Sequence, residues 1–328
     1  MSTVSVSHKE QGPGAGKPTI AVLGTGRMGE PIAQNLLNVD FPVRVWNRTA
    51  AKTHRLSAAG AQAGPTPAAA AKSAQVLITM LADGAATERA MVGPDGALAA
   101  LAPEAIWVQM GTVGLEWTES FSALAHERGV SFVDAPVSGS DGPARDGQLV
   151  ILASGDESLE SRLGPMFAAI GRRTLWLGPI GNGSALKVAL NAWLAAITQT
   201  AAETVALSET LGLDPRLLVE TLADLPLGAP YALAKANAMI DHQFEPGFAL
   251  RLAHKDVELA VSAASRHGLT LPIIEQVDAR WAAAIAEGHG DQDVAVAVEP
   301  VRAAVKTRSA AGPADYRVLA DGPRHARL

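Results

Sequence analysis

Cysteine is absent from the 328-residue chain. That excludes a disulfide framework, a thiolate nucleophile and any Cys-based zinc or iron–sulfur site. Aromatic residues make up 4% and charged residues 18%, so the core must come from Ala, Val and Leu, which suits an α/β or all-α fold better than a β-sandwich. The eight histidines never recur at i, i+4, and no His-Glu-x-x-His run occurs, so no metal site is expected. Basic residues are scattered and outnumbered, 27 Lys and Arg against 33 Asp and Glu for a net charge of −6. A nucleic-acid partner is therefore not expected, because neutralising phosphates takes clustered Lys and Arg. Long apolar runs are missing too. The most apolar stretch, Ala189 to Leu207, holds Asn191, Thr198, Gln199 and Glu203 and is too polar to span a bilayer. Residues 1–18 lack the apolar segment of a signal peptide and read as a disordered leader. The expectation is a cytoplasmic protein with no membrane partner.

What is present is a regular alternation. Short apolar runs recur at Ile20 to Leu23, Val43 to Trp46, Val76 to Met80, Ile106 to Gln109, Phe132 to Ala135, Val150 to Ala153 and Thr174 to Leu177. Continuous Val/Ile/Leu runs separated by helical stretches fit strands buried on both faces by crossover helices. The fold class expected for residues 19–180 is α/β, a Rossmann-type doubly wound and largely parallel sheet. After the Gly178–Gly183 turn, Ser184 offers an N-cap and no Gly or Pro interrupts the chain before Gly212, which predicts one long connecting helix. Only helical signals follow, so residues 181–300 read as an all-helical second domain. Past Pro300, six basic and two acidic residues with Gly-Pro breaks predict a basic, frayed tail over 301–328.

Four segments carry chemistry. The first strand runs into Gly24, Thr25, Gly26, Arg27, Met28 and Gly29, a G-x-G-x-x-G opening a helix. Gly24 permits the tight turn, Gly26 lets the backbone approach a pyrophosphate, and Gly29 lets the helix close on the strand. The second strand ends in Asn47, Arg48 and Thr49, where an Asp or Glu would bind the ribose hydroxyls of NAD; a guanidinium and neutral partners suit a 2′-phosphate instead. The cofactor expected is NADP(H). Ser138, Gly139 and Ser140 follow the strand through Phe132 to Ala135 and offer N–H groups and hydroxyls to a carboxylate. Finally, Lys187 and Asn191 stand one turn apart on one face of the long helix. The positive end of the helix and apolar neighbours should lower the pKa of that amine toward the range of a general acid.

These residues together resemble the β-hydroxyacid dehydrogenases over about Pro18 to Gly288. The resemblance rests on Leu23-Gly-Thr-Gly-Arg-Met-Gly-Glu-Pro31, Asp134-Ala-Pro-Val-Ser-Gly139, Gly181-Asn-Gly-Ser-Ala-Leu-Lys187 with Asn191, and Phe248-Ala-Leu with Lys255-Asp256. It implies that Lys187 protonates the carbonyl oxygen as hydride arrives, and that Asn191 helps hold that oxygen. It implies that Ser138 and Gly139 contact the substrate carboxylate, and that Thr112, Lys255 and the Leu81–Ala82 loop border the cofactor. The segment around Arg48 is similar to the NADPH-dependent glyoxylate and semialdehyde reductases of that family. Gly111 departs from it, standing where the family typically has Ser. The implied function is NADPH-dependent interconversion of a small aldehyde or keto acid and its hydroxy acid. An imine reductase and a non-catalytic dinucleotide-binding protein are the alternatives. Apolar residues on more than one stripe of the long helix, Leu186, Leu190, Trp193, Leu194, Ile197 and Val205, predict a homodimer or homotetramer.

Overall fold

The computed structural model describes residues 16–310, with side chains to residue 304. The chain divides into two compact units. The first reaches to Leu190 and takes in Ser262–His267, and the second holds Asn191–Val261 and the residues from Gly268 onward. The division falls inside the long helix, so Lys187 belongs to the first unit and Asn191 to the second.

The first unit is built on strands β1 (Ile20–Leu23), β2 (Val43–Trp46), β3 (Gln62–Ala63), β4 (Val76–Thr79), β5 (Ile106–Gln109), β6 (Ser131–Asp134), β7 (Val137–Ser138), β8 (Leu149–Gly155) and β9 (Gly171–Trp176). They form one sheet in the order β3-β2-β1-β4-β5-β6-β8-β7, with β9 on β8. Strands β1 to β6 pair in parallel, whereas β8 runs antiparallel to both β6 and β7. Successive residues alternate between two cores, as a strand's period of two demands. Ile20, Val22, Val43, Val45, Ile78 and Val108 enter one core. Ala21, Leu23, Leu77, Trp107 and Phe132 enter the other, where the Trp107 and Phe132 rings meet edge to face at 5.1 Å. The expected doubly wound sheet is present. Strands β3 and β7 were not anticipated, because two residues are too few to make an apolar run.

The long helix spans Asn182–Thr210, so Ser184 sits inside its first turn and is not the N-cap expected. Its backbone N–H is accepted at 2.8 Å by Oδ2 of Asp134, from the end of β6. A carboxylate from the sheet does what a local serine was expected to do.

The second unit is helical, with helices Pro215–Ala223, Pro230–Ile240, Leu250–Arg266 as far as Val261, Pro272–Ala284 and Val298–Ala310. Several of its buried polar groups are paired. The Trp281 indole donates to Gln199 Oε1 at 3.0 Å. Asp293 is 2.7 Å from Lys235 Nζ and accepts the N–H groups of Gly247, Phe248 and Ala295. The tail expected from residue 301 is helical in its first ten residues, which continue Val298–Ala310. Arg302 anchors that helix, with Nε 2.9 Å from Glu209 Oε2 and Nη1 2.8 Å from Glu299 Oε1. The rest of the expected tail and most of the expected leader lie outside the described residues. Among the described residues no helix is long and apolar enough to cross a membrane.

Candidate functional site

The C-terminal ends of β1, β2, β4 and β5 meet at the glycine loop, where a doubly wound sheet binds its ligand. Gly24 N–H is bonded to Trp46 O at 2.8 Å, and Met80 N–H to Leu23 O at 2.9 Å. The three glycines of the loop answer to different constraints. Gly24 has φ +99°, and a Cβ there would lie 2.3 Å from Met80 O. At Gly29 a Cβ would fall 1.8 Å from Gly24 O, but at Gly26 it would meet nothing within 4 Å. Two glycines are thus demanded by the protein's own packing, while the middle one faces open space. The helix Gly29–Asn38 starts there with no side-chain cap from Met28; the Glu30 and Ile32 N–H groups are taken by Gly26 O and Met28 O at 2.9 and 3.2 Å, and what the helix start offers an anion is the positive end of its dipole. Arg27 is exposed beside it. Those features fit the pyrophosphate of a dinucleotide.

Beyond the ends of β2 and β3 lies a cavity of about 570 Å³ whose lining includes Trp46, Asn47, Arg48, His54, Ser57 and Pro65. Arg48 and Thr49 are exposed. Asn47 is committed to the protein: its Oδ1 accepts Thr25 N–H at 3.2 Å and its Nδ2 donates to Thr49 O at 3.1 Å. The Thr25 hydroxyl donates to Lys52 O at 3.0 Å. Asn47 and Thr25 therefore brace the glycine loop against the turn that carries Arg48. His54 and Ser57 were missed, since they follow a short 3₁₀ turn, Ala50–Thr53, that no apolar pattern marks.

Leu81, Ala82 and Thr112 come to the same edge. Leu81 O lies so close to Gly111 that a Cβ there would be 2.8 Å from it. A serine at position 111 would have to push that loop away, which accounts for the glycine. A buried chain of hydrogen bonds supports the turn from below. Trp107 Nε1 donates to Thr79 Oγ1 at 2.9 Å, Thr79 Oγ1 donates to Gln109 Oε1 at 2.5 Å, and Gln109 Nε2 donates to Gly111 O at 3.3 Å.

Ser138 ends β7, half-buried and paired in register with Val150, and Gly139 and Ser140 are exposed just beyond it. Lys187 is half-buried in the second turn of the long helix. In the second unit, Asn191 and Lys255 meet through one residue. Asn191 Nδ2 donates to Asp256 Oδ2 at 2.6 Å, and Lys255 Nζ is 2.7 Å from Asp256 Oδ1. Asp256 is 5% exposed, so it fixes the orientation of the Asn191 amide. The dipeptide Lys255-Asp256 was visible in the sequence, but nothing there showed which residue the carboxylate would hold.

The glycine geometry separates packing from binding in one experiment. Gly24→Ala and Gly29→Ala should each lower stability by about 1–3 kcal/mol, read by denaturant melts. Gly26→Ala should melt within about 0.5 kcal/mol of the parent yet bind dinucleotide on the order of tenfold more weakly by fluorescence titration. Parent-like binding by Gly26→Ala would contradict the assignment.

Both halves of the chain match families of nicotinamide-dinucleotide enzymes. Residues 19–178 match the family described as the NAD binding domain of 6-phosphogluconate dehydrogenase. Residues 181–301 match the NAD-binding family of NADP-dependent 3-hydroxyisobutyrate dehydrogenase. Glyoxylate/succinic semialdehyde reductase 2, chloroplastic, of Arabidopsis thaliana is 33% identical over 295 residues, covering 90% of this chain and 82% of that one. The uncharacterized oxidoreductase YfjR of Bacillus subtilis is 34% identical over 285 residues, covering 86% and 99%. Among solved structures, Mycobacterium tuberculosis 3-hydroxyisobutyrate dehydrogenase with L-serine superposes with a TM-score of 0.79 at 29% identity, over 87% of this chain and 99% of that one. With a nicotinamide-dinucleotide fold, a matching glycine loop and relatives of this length, the chain belongs to the β-hydroxyacid dehydrogenase family of NAD(P)-dependent oxidoreductases.

Proposed function

We propose that the protein is a cytoplasmic NADPH-dependent reductase that interconverts a small carboxylate-bearing aldehyde or ketone and its hydroxy acid. What supports this reading is that Ser138, Gly139 and Lys187 belong to one compact unit, with the helix of Lys187 bonded at its start to Asp134 of the strand before Ser138. Ser138 and the N–H groups around Gly139 and Ser140 hold the substrate carboxylate. Bound NADPH supplies the hydride. Lys187 places its charge beside the carbonyl oxygen and gives up a proton as negative charge grows there. Thr112, Leu81 and Ala82 of the first unit border the cofactor; in the second unit Asp256 fixes the Asn191 amide, a donor for a substrate oxygen, and pairs with Lys255.

The preference for NADPH is supported by Arg48, an exposed guanidinium lining the cavity beyond β2, with no carboxylate at the strand end. An oligomer is supported by exposed apolar side chains of the second unit. Trp193 is 66% exposed, and Leu207 and Leu211 are 55% and 66% exposed one turn apart. Val205, grouped with that surface from the sequence, is wholly buried and belongs to the core.

Initial-rate NADPH oxidation against glyoxylate, succinic semialdehyde, tartronate semialdehyde, methylmalonate semialdehyde and a cyclic imine tests the reading; turnover of the imine alone would overturn it. Lys187→Ala should lower kcat on the order of 10²- to 10⁴-fold while NADPH titration changes little, because its main interaction forms in the transition state. Arg48→Asp should move the NADPH/NADH preference toward NADH on the order of 10- to 100-fold with kcat largely kept, as measured by kcat/KM for each cofactor. Light scattering should report a dimer or tetramer, and Leu211→Glu should shift it toward monomer.

A further inference from the structure

Asp134 is the last residue of β6 and is wholly buried, and the chemistry above assigns it nothing. Its carboxylate gathers the donors at the start of the long helix. Oδ2 accepts the Ser184 N–H at 2.8 Å and the Ser154 hydroxyl at 3.1 Å, and Oδ1 accepts the Ser184 hydroxyl at 2.8 Å. Ser154 Oγ accepts the Gly183 N–H at 3.0 Å, and Thr118 Oγ1 lies 2.9 Å from Ser184 Oγ. Strand β6, strand β8 and the helix Leu115–Glu127 thereby converge on one helical turn. The approach is close enough that a Cβ on Gly183 would sit 2.2 Å from Leu152 O.

Burying a carboxylate so completely is costly. Desolvation pushes the Asp134 carboxyl above its ordinary range, and the bonds from Ser184, Ser154 and Gly181 pull it only part of the way back. An apolar residue of similar volume would fill the space without that cost. What it could not do is fix the helix in register.

Two chain segments lead away from this knot. Lys187 lies three residues beyond Ser184, on the same helix face one turn on. Ser138 lies four residues beyond Asp134, through Ala135, Pro136 and Val137, all buried, and is held in register on β8, the strand that also carries Ser154. We propose that Asp134 is a positioning residue: by gripping the Ser184 turn, it sets where Lys187 stands relative to Ser138 and Gly139. The inference rests on the role given to Lys187 above.

The test needs a readout that a simple structural cap would not move. Competitive chemical labelling of lysines, followed by mass spectrometry across a pH series on the full chain, reports the surroundings of Lys187 without turnover. Asp134→Asn keeps the side-chain volume but removes the charge and turns an NH₂ toward the Ser184 donors. It should keep NADPH affinity within about twofold, shift the labelling midpoint of Lys187, and lower kcat on the order of 10- to 100-fold per folded molecule. A lower melting temperature with unchanged labelling midpoint and unchanged kcat would make Asp134 a structural cap only and overturn the proposal. If Asp134→Asn does not fold, Ser184→Ala, which deletes one hydroxyl, should move the labelling midpoint in the same direction with a smaller loss of kcat; no movement in either overturns it. Should the parent protein turn over none of the aldehyde acids, the proposed function fails on its own, while the labelling series still decides whether Asp134 governs Lys187.

Discussion

A helix that begins inside a domain leaves N–H groups with no partner in the helix and no water to replace one. The long helix Asn182–Thr210 begins this way, against the ends of β6 and β8, and one carboxylate resolves the problem. Asp134 and Ser154 between them accept from Gly183 and Ser184, so the start of the helix is bonded to the strand that leads into Ser138. The donors around it offset part of the cost of burying the charge. Through that one anchor the backbone leading to Lys187 and the backbone leading to Ser138 are tied together.

The same logic runs through the second unit on a smaller scale. Asp256 orients the amide of Asn191 and pairs with Lys255, just as Asp293 pairs with Lys235 and holds the backbone at Gly247 and Phe248. In each case a buried carboxylate sits where the chain is irregular or where a polar side chain must point one way. Apolar packing is non-directional and cannot set such orientations.

Much of this was legible in the sequence. The seven longer strands of the first unit, each marked by a short apolar run, the glycine loop and the long uninterrupted helix all leave strong local signals. What could not be read were contacts made across the chain. Ser184 looks like an N-cap because serine favours that position, and only the fold shows that Asp134, fifty residues earlier, takes the backbone N–H. Asn47 looks like a ligand contact because of its place at the strand end, and the fold adds that its amide also braces Thr25 and Thr49. Beyond residue 300 charge and Gly-Pro composition suggested fraying, but Arg302 reaches Glu209 and Glu299 and the helix continues to Ala310. Short strands such as β3 and β7 exist because their neighbours offer an edge, not because their own residues demand it.

The glycine loop shows how a motif can be divided into what folding needs and what binding needs. A G-x-G-x-x-G string treats its three glycines alike, but the protein does not. Gly24 and Gly29 lie against backbone carbonyls that leave no room for a methyl group, and would be required even if nothing ever bound there. Gly26 meets none of the protein's own atoms at that range, so its lack of a side chain does nothing for the fold. Asn47 and Thr25 hold the loop in this shape from the side. The room kept clear above Gly26, next to a helix start with no side-chain cap, is therefore best explained by a ligand whose charged group passes directly over the backbone.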